Sequence, residues 1–371
     1  MIRRRVLCVA AALAIAACSG SKPPVLLPPA SRAIAQSTAH SGVSPLGNYV
    51  AEPPDEDTQA WASARGRAML PLWTRTFSDG RATYSYTMVG TDPAAGSIST
   101  TIPVLIVPFK FTMPDGTVFD PTMRTQTLKV SAVQAFVSSP LFEPVPFRSG
   151  KVWAGNTQYV DAFQRANYWR DVSRRSPGYH VLLGTPRTIK PIVLTIPTGL
   201  GRTHVLRNGI KWASISQVIA VKAVRDYLKH SQQVGPDRFV IFLSYNTVIG
   251  SGVAYHSSLG PQTFAVTMFN DRGVLSFIGP QFESVANIEV STHEIGEWMD
   301  DPFGTNQTPA GLLEVADPLD GSHEMVRSDG RDYNLQELAF HDYFTCKRPP
   351  STSANGWYSF LGTFLTPSND C

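Results

Sequence analysis

The stretch Ser291-Thr292-His293-Glu294-Ile295-Gly296-Glu297-Trp298-Met299-Asp300-Asp301-Pro302 constrains this chain more than any other. Its pattern predicts a helix from about Glu283 to Asp301, stopped by Pro302. At about 100° per residue, Val285, Ile288, Ile295 and Met299 fall within roughly 80° of one another and form a core-facing stripe. His293, Glu297 and Asp301 step along the opposite side about 40° apart. Ala286 and Val290 share that side one turn earlier, so it does not read as a fully solvated face. Gly296 in mid-helix costs about 1 kcal/mol against Ala. That points to close approach by another element, with a tight helix crossing as the structural explanation.

The chemistry of the polar side follows from spacing. In His-Glu-x-x-His, two His at i and i+4 hold zinc and the intervening Glu is the general base. Here Glu297 stands in place of the second His. A carboxylate can ligate zinc but is a harder donor, so calcium and manganese stay open. Glu294 would sit beside the ion and take a proton from water. A third ligand has to come from elsewhere: Leu313-Glu314-Val315-Ala316-Asp317-Pro318 offers Glu314 or Asp317, with Asp301 and His323 as weaker candidates. On the structural reading, Glu297 and Asp301 are helix-surface charges and Asp320-Gly321 is a turn. His256 could approach as a transition-state donor or serve as a satisfied structural His, and His341 beside Asp342 has the same two readings. Gln158, Asp161, Gln164 and Arg165 form a polar helix face, either solvated or part of a buried network. No nucleophile elbow, phosphate-binding loop or dinucleotide fingerprint is present.

Around this helix the chain reads as α+β. Residues 61–150 form a mainly β region: Thr83 to Met88 alternates, and Ile102 to Phe111 is a strong strand that Pro103 and Pro108 would push to a sheet edge or split. A short helix fits Ser131 to Val137. Residues 151–371 mix helices and strands, with a helix capped by Asn156 or Thr157 and running to about Val172. Strands fit Pro191 to Ile196, Thr203 to Leu206 and Ile210 to Ala213, and an amphipathic helix fits Ser214 to His230. Strands then fit Arg238 to Tyr245, Thr263 to Asn270 and Val274 to Ile278, the last two joined at Asp271-Arg272-Gly273. Leu335 to Phe344 could form a further helix.

The N-terminus sets the compartment. Arg3, Arg4 and Arg5 precede the apolar run Val6 to Ala17, too short to span a bilayer and suited to the centre of a secretory signal. The run ends in Ile15-Ala16-Ala17-Cys18-Ser19-Gly20, which resembles the lipobox of bacterial lipoproteins and implies lipidation at Cys18, with Ser19 consistent with an outer-membrane destination where the cell has one. An ordinary signal peptide cut near the Ala pair is the alternative. Residues 18–60, rich in Pro, Ala and Ser, read as a tether. The full chain has a formal charge of +3; without residues 1–17 that excess is gone, which argues against a nucleic-acid or anionic-membrane partner beyond the anchor itself. With Cys8 in the signal and Cys18 lipidated, Cys346 and Cys371 remain in an oxidising compartment and are expected to pair. Such a bridge stabilises by roughly 3 kcal/mol on the chain-entropy model.

His293 to Pro302, Glu314-Val315-Ala316-Asp317-Pro318, Leu335 to Phe340, Asn355 to Ser359 and Gly155 to Trp169 together resemble a group of uncharacterised exported bacterial proteins. More distantly, His-Glu-x-x-Glu with Glu-x-x-Asp is similar to plant Exordium-like proteins. The order of backing helix, sheet and motif helix resembles the zincin metallopeptidases. These resemblances imply a zincin-like mixed sheet with a metal-binding helix and a divalent ion, zinc before calcium. His293, Glu297 and Glu314 or Asp317 would hold the ion and Glu294 would be catalytic. The expected activity is an exported metal-dependent hydrolase, with peptide or protein as substrate. The alternative is a non-catalytic surface lipoprotein with a structural cation site.

Overall fold

A computed structural model of the chain describes residues 68–250, 253–350 and 356–371. The expected signal and tether, with Cys8 and Cys18, lie outside the described residues. About 20% of the structure is helix and 35% strand, an α+β composition. Among the described residues, no helix is long and apolar enough to cross a membrane.

The centre is a sheet built on β1 (Val104–Thr112), β2 (Ile192–Thr195), β3 (Phe239–Tyr245), β4 (Tyr255–Leu259) and β5 (Gln262–Phe269), in the order β2-β1-β3-β5-β4. β2, β1, β3 and β5 are parallel, and β4 is the antiparallel edge. Period-two alternation lets this sheet serve two cores. Val104, Ile106, Phe239, Ile241, Leu243 and Ala265 face one side. Leu105, Val107, Val240, Phe242 and Phe264 face the other, where helix α2 (Gln217–His230) covers them with Ala220, Val224 and Leu228. On the first side lie α1 (Tyr159–Asn167) and the motif helix, α3 (Glu289–Asp300), which also packs against the strand Arg331–Gln336. Parallel strands covered on both faces read as continuous apolar runs, as β1 and β3 do.

The run Ile102 to Phe111 is broken at Pro103, as expected: Ser99–Ile102 pairs with His180–Leu183 in a separate sheet and β1 starts at Val104. β1 itself is not an edge strand, and Pro108 does not interrupt it, contrary to the expectation from that proline. Ile106 and Thr112 carbonyls accept from Ile189 and Ile196 on the β2 side, so alternate residues, Pro108 among them, direct their N–H positions that way. There Arg187–Thr188 pairs with Leu105 and Ile106, and β2 pairs only from Phe109 onward. The neighbour is interrupted where Pro108 has no N–H to offer, so the ladder loses nothing.

Two further expectations fail. Val274 to Ile278 is not a strand; β5 pairs instead with β4, which precedes it. The reason is Asp271, whose carboxylate accepts from Thr127, Tyr245 and Asn246 and anchors the end of β5 to the core instead of leaving a free hairpin turn. Leu335 to Phe344 is not one helix: Arg331–Gln336 is a strand paired with His323–Ser328, and only His341–Phe344 is helical. Cys346 and Cys371 form a disulfide, their Cα atoms 5.4 Å apart.

Candidate metal centre

Helix α3 is buried along its whole length. Ile288, Ile295 and Met299 enter the core as expected, and Trp298 stacks on Phe239 at 3.6 Å while its indole N–H donates to Thr263. Val285 is buried but precedes the helix, which begins at Glu289 rather than near Glu283. The close approach at Gly296 is made by a side chain: a Cβ there would lie 2.6 Å from Leu338 Cδ1.

The opposite side of α3 is covered by residues 313–320, by Gln336 and by edge strand β4. Leu313 and Val315 are core residues that fix the first of these segments. Glu297 Oε1 accepts from the backbone N–H of Ala316 and Asp317 at 3.3 and 3.2 Å. All five residues singled out by spacing are thereby gathered: His293, Glu294, Glu297, Glu314 and Asp317. His293 Nε2 lies 3.2 Å from Glu297 Oε1 and 3.5 Å from Asp317 Oδ1. Neither weaker candidate joins these ligand groups. Asp301 ends the helix and accepts from the N–H groups of Thr305 and Asn306, while His323 pairs with Glu289.

Two residues that local spacing could not assign complete the site. Gln336 accepts from His293 Nδ1 at 2.8 Å, and its own amide donates to the Ala316 carbonyl, which fixes the amide orientation. In the neutral ring Nδ1 therefore carries the hydrogen, and the Nε2 lone pair faces Glu297 and Asp317. A ligand His whose other nitrogen donates to a fixed acceptor is the usual outer support of a metal site. His256, on β4, lies 3.3 Å from Glu294 and 3.6 Å from Glu297 through Nδ1. The run Val253-Ala254-Tyr255 just before it was the available sign that it sits in a buried strand.

Electrostatically this is a site short of positive charge. His256, His293, Glu294, Glu297 and Glu314 are almost wholly buried. His293 Nε2, Glu294 Oε1, Glu297 Oε2 and both Glu314 oxygens have no hydrogen-bond partner. Burial pushes the Glu297 carboxyl well above its usual range, with the charges of Glu314, Asp317 and Glu294 adding to it. Burial also lifts Glu314 to about 8, although His256 opposes the rise. Burial alone would lower both imidazoles. The carboxylates outweigh it, Asp320 and Glu294 for His293 and Glu314 and Glu294 for His256, and both rise to about 9. Such a pattern marks a functional or cation-binding cluster.

The residues fit a metal ion. Ligand atoms of His293, Glu297 and Asp317 lie within 4.8 Å of one another, as do those of His256, Glu297 and Glu314. Tetrahedral zinc with bonds of about 2.1 Å separates its ligands by about 3.4 Å, close to the 3.2 and 3.5 Å around His293 Nε2. Asp317, with its side chain 21% exposed, is the most open of these groups. A cavity of about 460 Å³ lined by Thr127, Asp271, Arg272 and Arg331 lies apart, and none of the cluster residues lines it.

The polar face of α1 is a buried network, not a solvated one. Asp161 accepts from Thr157 and Val181, Gln158 bonds Phe142 and Leu183, and Gln164 and Asn167 donate to Asp300. His341 packs among Phe77, Tyr86 and Tyr168, away from the cluster.

No family model matches the chain, and no curated protein or solved structure is similar to it.

Proposed function

We propose that the protein is an exported, lipid-anchored metal-dependent hydrolase of zincin-like architecture, acting on peptide bonds. The observation that carries this reading is the paired commitment of His293: one nitrogen donates to Gln336, and the other turns its lone pair on Glu297 and Asp317. Backing helix α2, a mixed sheet with an antiparallel edge strand, and site helix α3 support the architecture. His293, Glu297 and Asp317 would hold the ion, and the nitrogen donor favours zinc over calcium. A divalent ion there supplies Lewis acidity and a water of lowered pKa.

The chain's own residues do the rest. Glu294 follows His293 in the helix, and its buried, unpartnered Oε1 is a base able to receive the water's proton. The same carboxyl touches His256 through Oε2, which orients it. Gln336 keeps His293 in the ligating tautomer. Cys18 would carry the lipid that holds the protein in the cell envelope.

Depth of burial favours a second reading, in which the ion is structural and ties residues 313–320 to α3 through Glu297. Metal analysis of the purified protein, beside Glu297→Ala, tests both readings; wild type without stoichiometric metal refutes them together. Glu294→Gln then separates them. In a hydrolase it retains metal and fold while cleavage of a peptide library falls by orders of magnitude. If wild type cleaves nothing, the catalytic reading fails.

A further inference from the structure

Glu297 offers two carboxylate oxygens, and the protein surrounds them differently. Oε1 lies beside His293 and accepts the N–H groups of Ala316 and Asp317. Oε2 is buried, has no hydrogen bond, and lies 3.6 Å from His256 Nδ1.

His256 is committed as firmly as His293. Its Nε2 lies 3.1 Å from the carbonyl oxygen of Asp301, an atom that can only accept. The hydrogen is therefore on Nε2, and in the neutral ring the Nδ1 lone pair faces Glu294 Oε2 at 3.3 Å and Glu297 Oε2 at 3.6 Å. Glu314 brings two buried oxygens without partners to the same place. A second proton on His256 would serve Glu294 and leave Glu314 unbonded. A cation among the three groups satisfies the lone pair, Glu297 Oε2 and Glu314 together.

We propose that the protein binds a second first-row divalent cation at His256, Glu297 and Glu314, so that Glu297 bridges two ions. The inference rests on the first site, at His293, Glu297 and Asp317. Charge agrees in direction: Glu294, Glu297, Glu314 and Asp317, with Asp320 beside His293, gather more carboxyl groups than one divalent ion would balance. Each ion has its own His, and each His is held by a separate acceptor, Gln336 for one and the Asp301 carbonyl for the other. Paired ions of this kind clamp both the attacking and the leaving oxygen in hydrolytic centres.

The test is stoichiometric. Chelator-stripped full-length protein is titrated with zinc, and bound metal is counted after desalting. Wild type should hold two ions per chain, His256→Ala one and His293→Ala one, with Glu297→Gln weakening both. Loading with two equivalents of manganese should give an exchange-coupled spin-resonance spectrum, which collapses to that of an isolated ion in His256→Ala. One ion in wild type, retained by His256→Ala, overturns the second site and leaves the first standing. No ion overturns both. If His256→Ala does not fold, wild type decides alone, because two uncoupled manganese ions or a single ion refute the bridge.

Discussion

Gly296 lies between Glu294 and Glu297, and its replacement by alanine tests how the motif helix is seated. The new Cβ would stand 2.6 Å from Leu338 Cδ1 and 2.9 Å from Cδ2, with Leu338 fully buried. Carbon contacts settle at about 3.5–4.0 Å, so Leu338 or the helix has to yield by about 1 Å. Overpacking of this kind costs about 1–3 kcal/mol, and alanine's helix preference returns about 1 kcal/mol. Gly296→Ala should therefore destabilise the metal-free protein by roughly 0–2 kcal/mol. Leu338→Ala alone should cost about 2–5 kcal/mol through its cavity. In the double variant the alanine methyl enters the space that Leu338 vacates, so the loss should fall short of the sum by about 1–3 kcal/mol. Urea unfolding of the four proteins in chelator measures this coupling. Additivity within about 0.5 kcal/mol would refute the packing argument. Zinc titration of Gly296→Ala provides a second reading, since a displaced helix carries His293 and Glu297 with it; unchanged affinity would mean that Leu338 alone moved.

Zinc at a hundred times its dissociation constant should raise the unfolding free energy of wild type by about 2.7 kcal/mol, and thermal melts of Glu297→Gln should show little of that gain. Gln336→Leu should weaken zinc binding by roughly 10- to 100-fold in calorimetry; full affinity would mean that the His293 tautomer needs no support. Burial, helped by Lys347 and Arg75, holds His341 neutral by pushing its pKa down to about 3. The unfolded chain, titrating near its ordinary value of about 6.5, takes up a proton that the folded one refuses. His341 therefore makes stability fall as pH drops from about 6.5 towards 3 and has no effect above that range, worth roughly 5 kcal/mol in full. His341→Phe should flatten that limb in urea midpoints taken from pH 7.5 to 4, and an unaltered slope counts against the assignment. Reducing Cys346–Cys371 should lower stability by about 3 kcal/mol, measured as a shift in the urea midpoint with and without reductant.

The part of the centre carried by α3 was legible because ligands at i and i+4, with a carboxylate following the first, declare themselves in a helix. The segment holding Glu314 and Asp317 was legible as a dense acidic stretch just downstream. His256 was legible only as a residue that could approach the site, not as a ligand, and Gln336 was not legible at all, because strand pairing delivers them and pairing partners carry no fixed spacing in sequence. β4 was overlooked because Asp271-Arg272-Gly273 reads as a hairpin turn until Asp271 is seen accepting three buried donors. Pro108 misled for a related reason. Its missing N–H argues for a sheet edge, and only the gap between Arg187–Thr188 and β2 shows how an interior strand accommodates it.

The position of β1 also governs how the protein can be made. Val104 pairs with Phe239, and the same strand pairs with β2 on its other side, so the sheet beneath α3 cannot close until both distant segments are free to join it. Contacts so remote in sequence slow folding. During that interval the apolar face of β3 is uncovered and exposed to self-association. A fragment beginning at residue 151 would carry every candidate ligand yet lack the strand next to β3, and should accumulate as aggregate rather than as a smaller working centre.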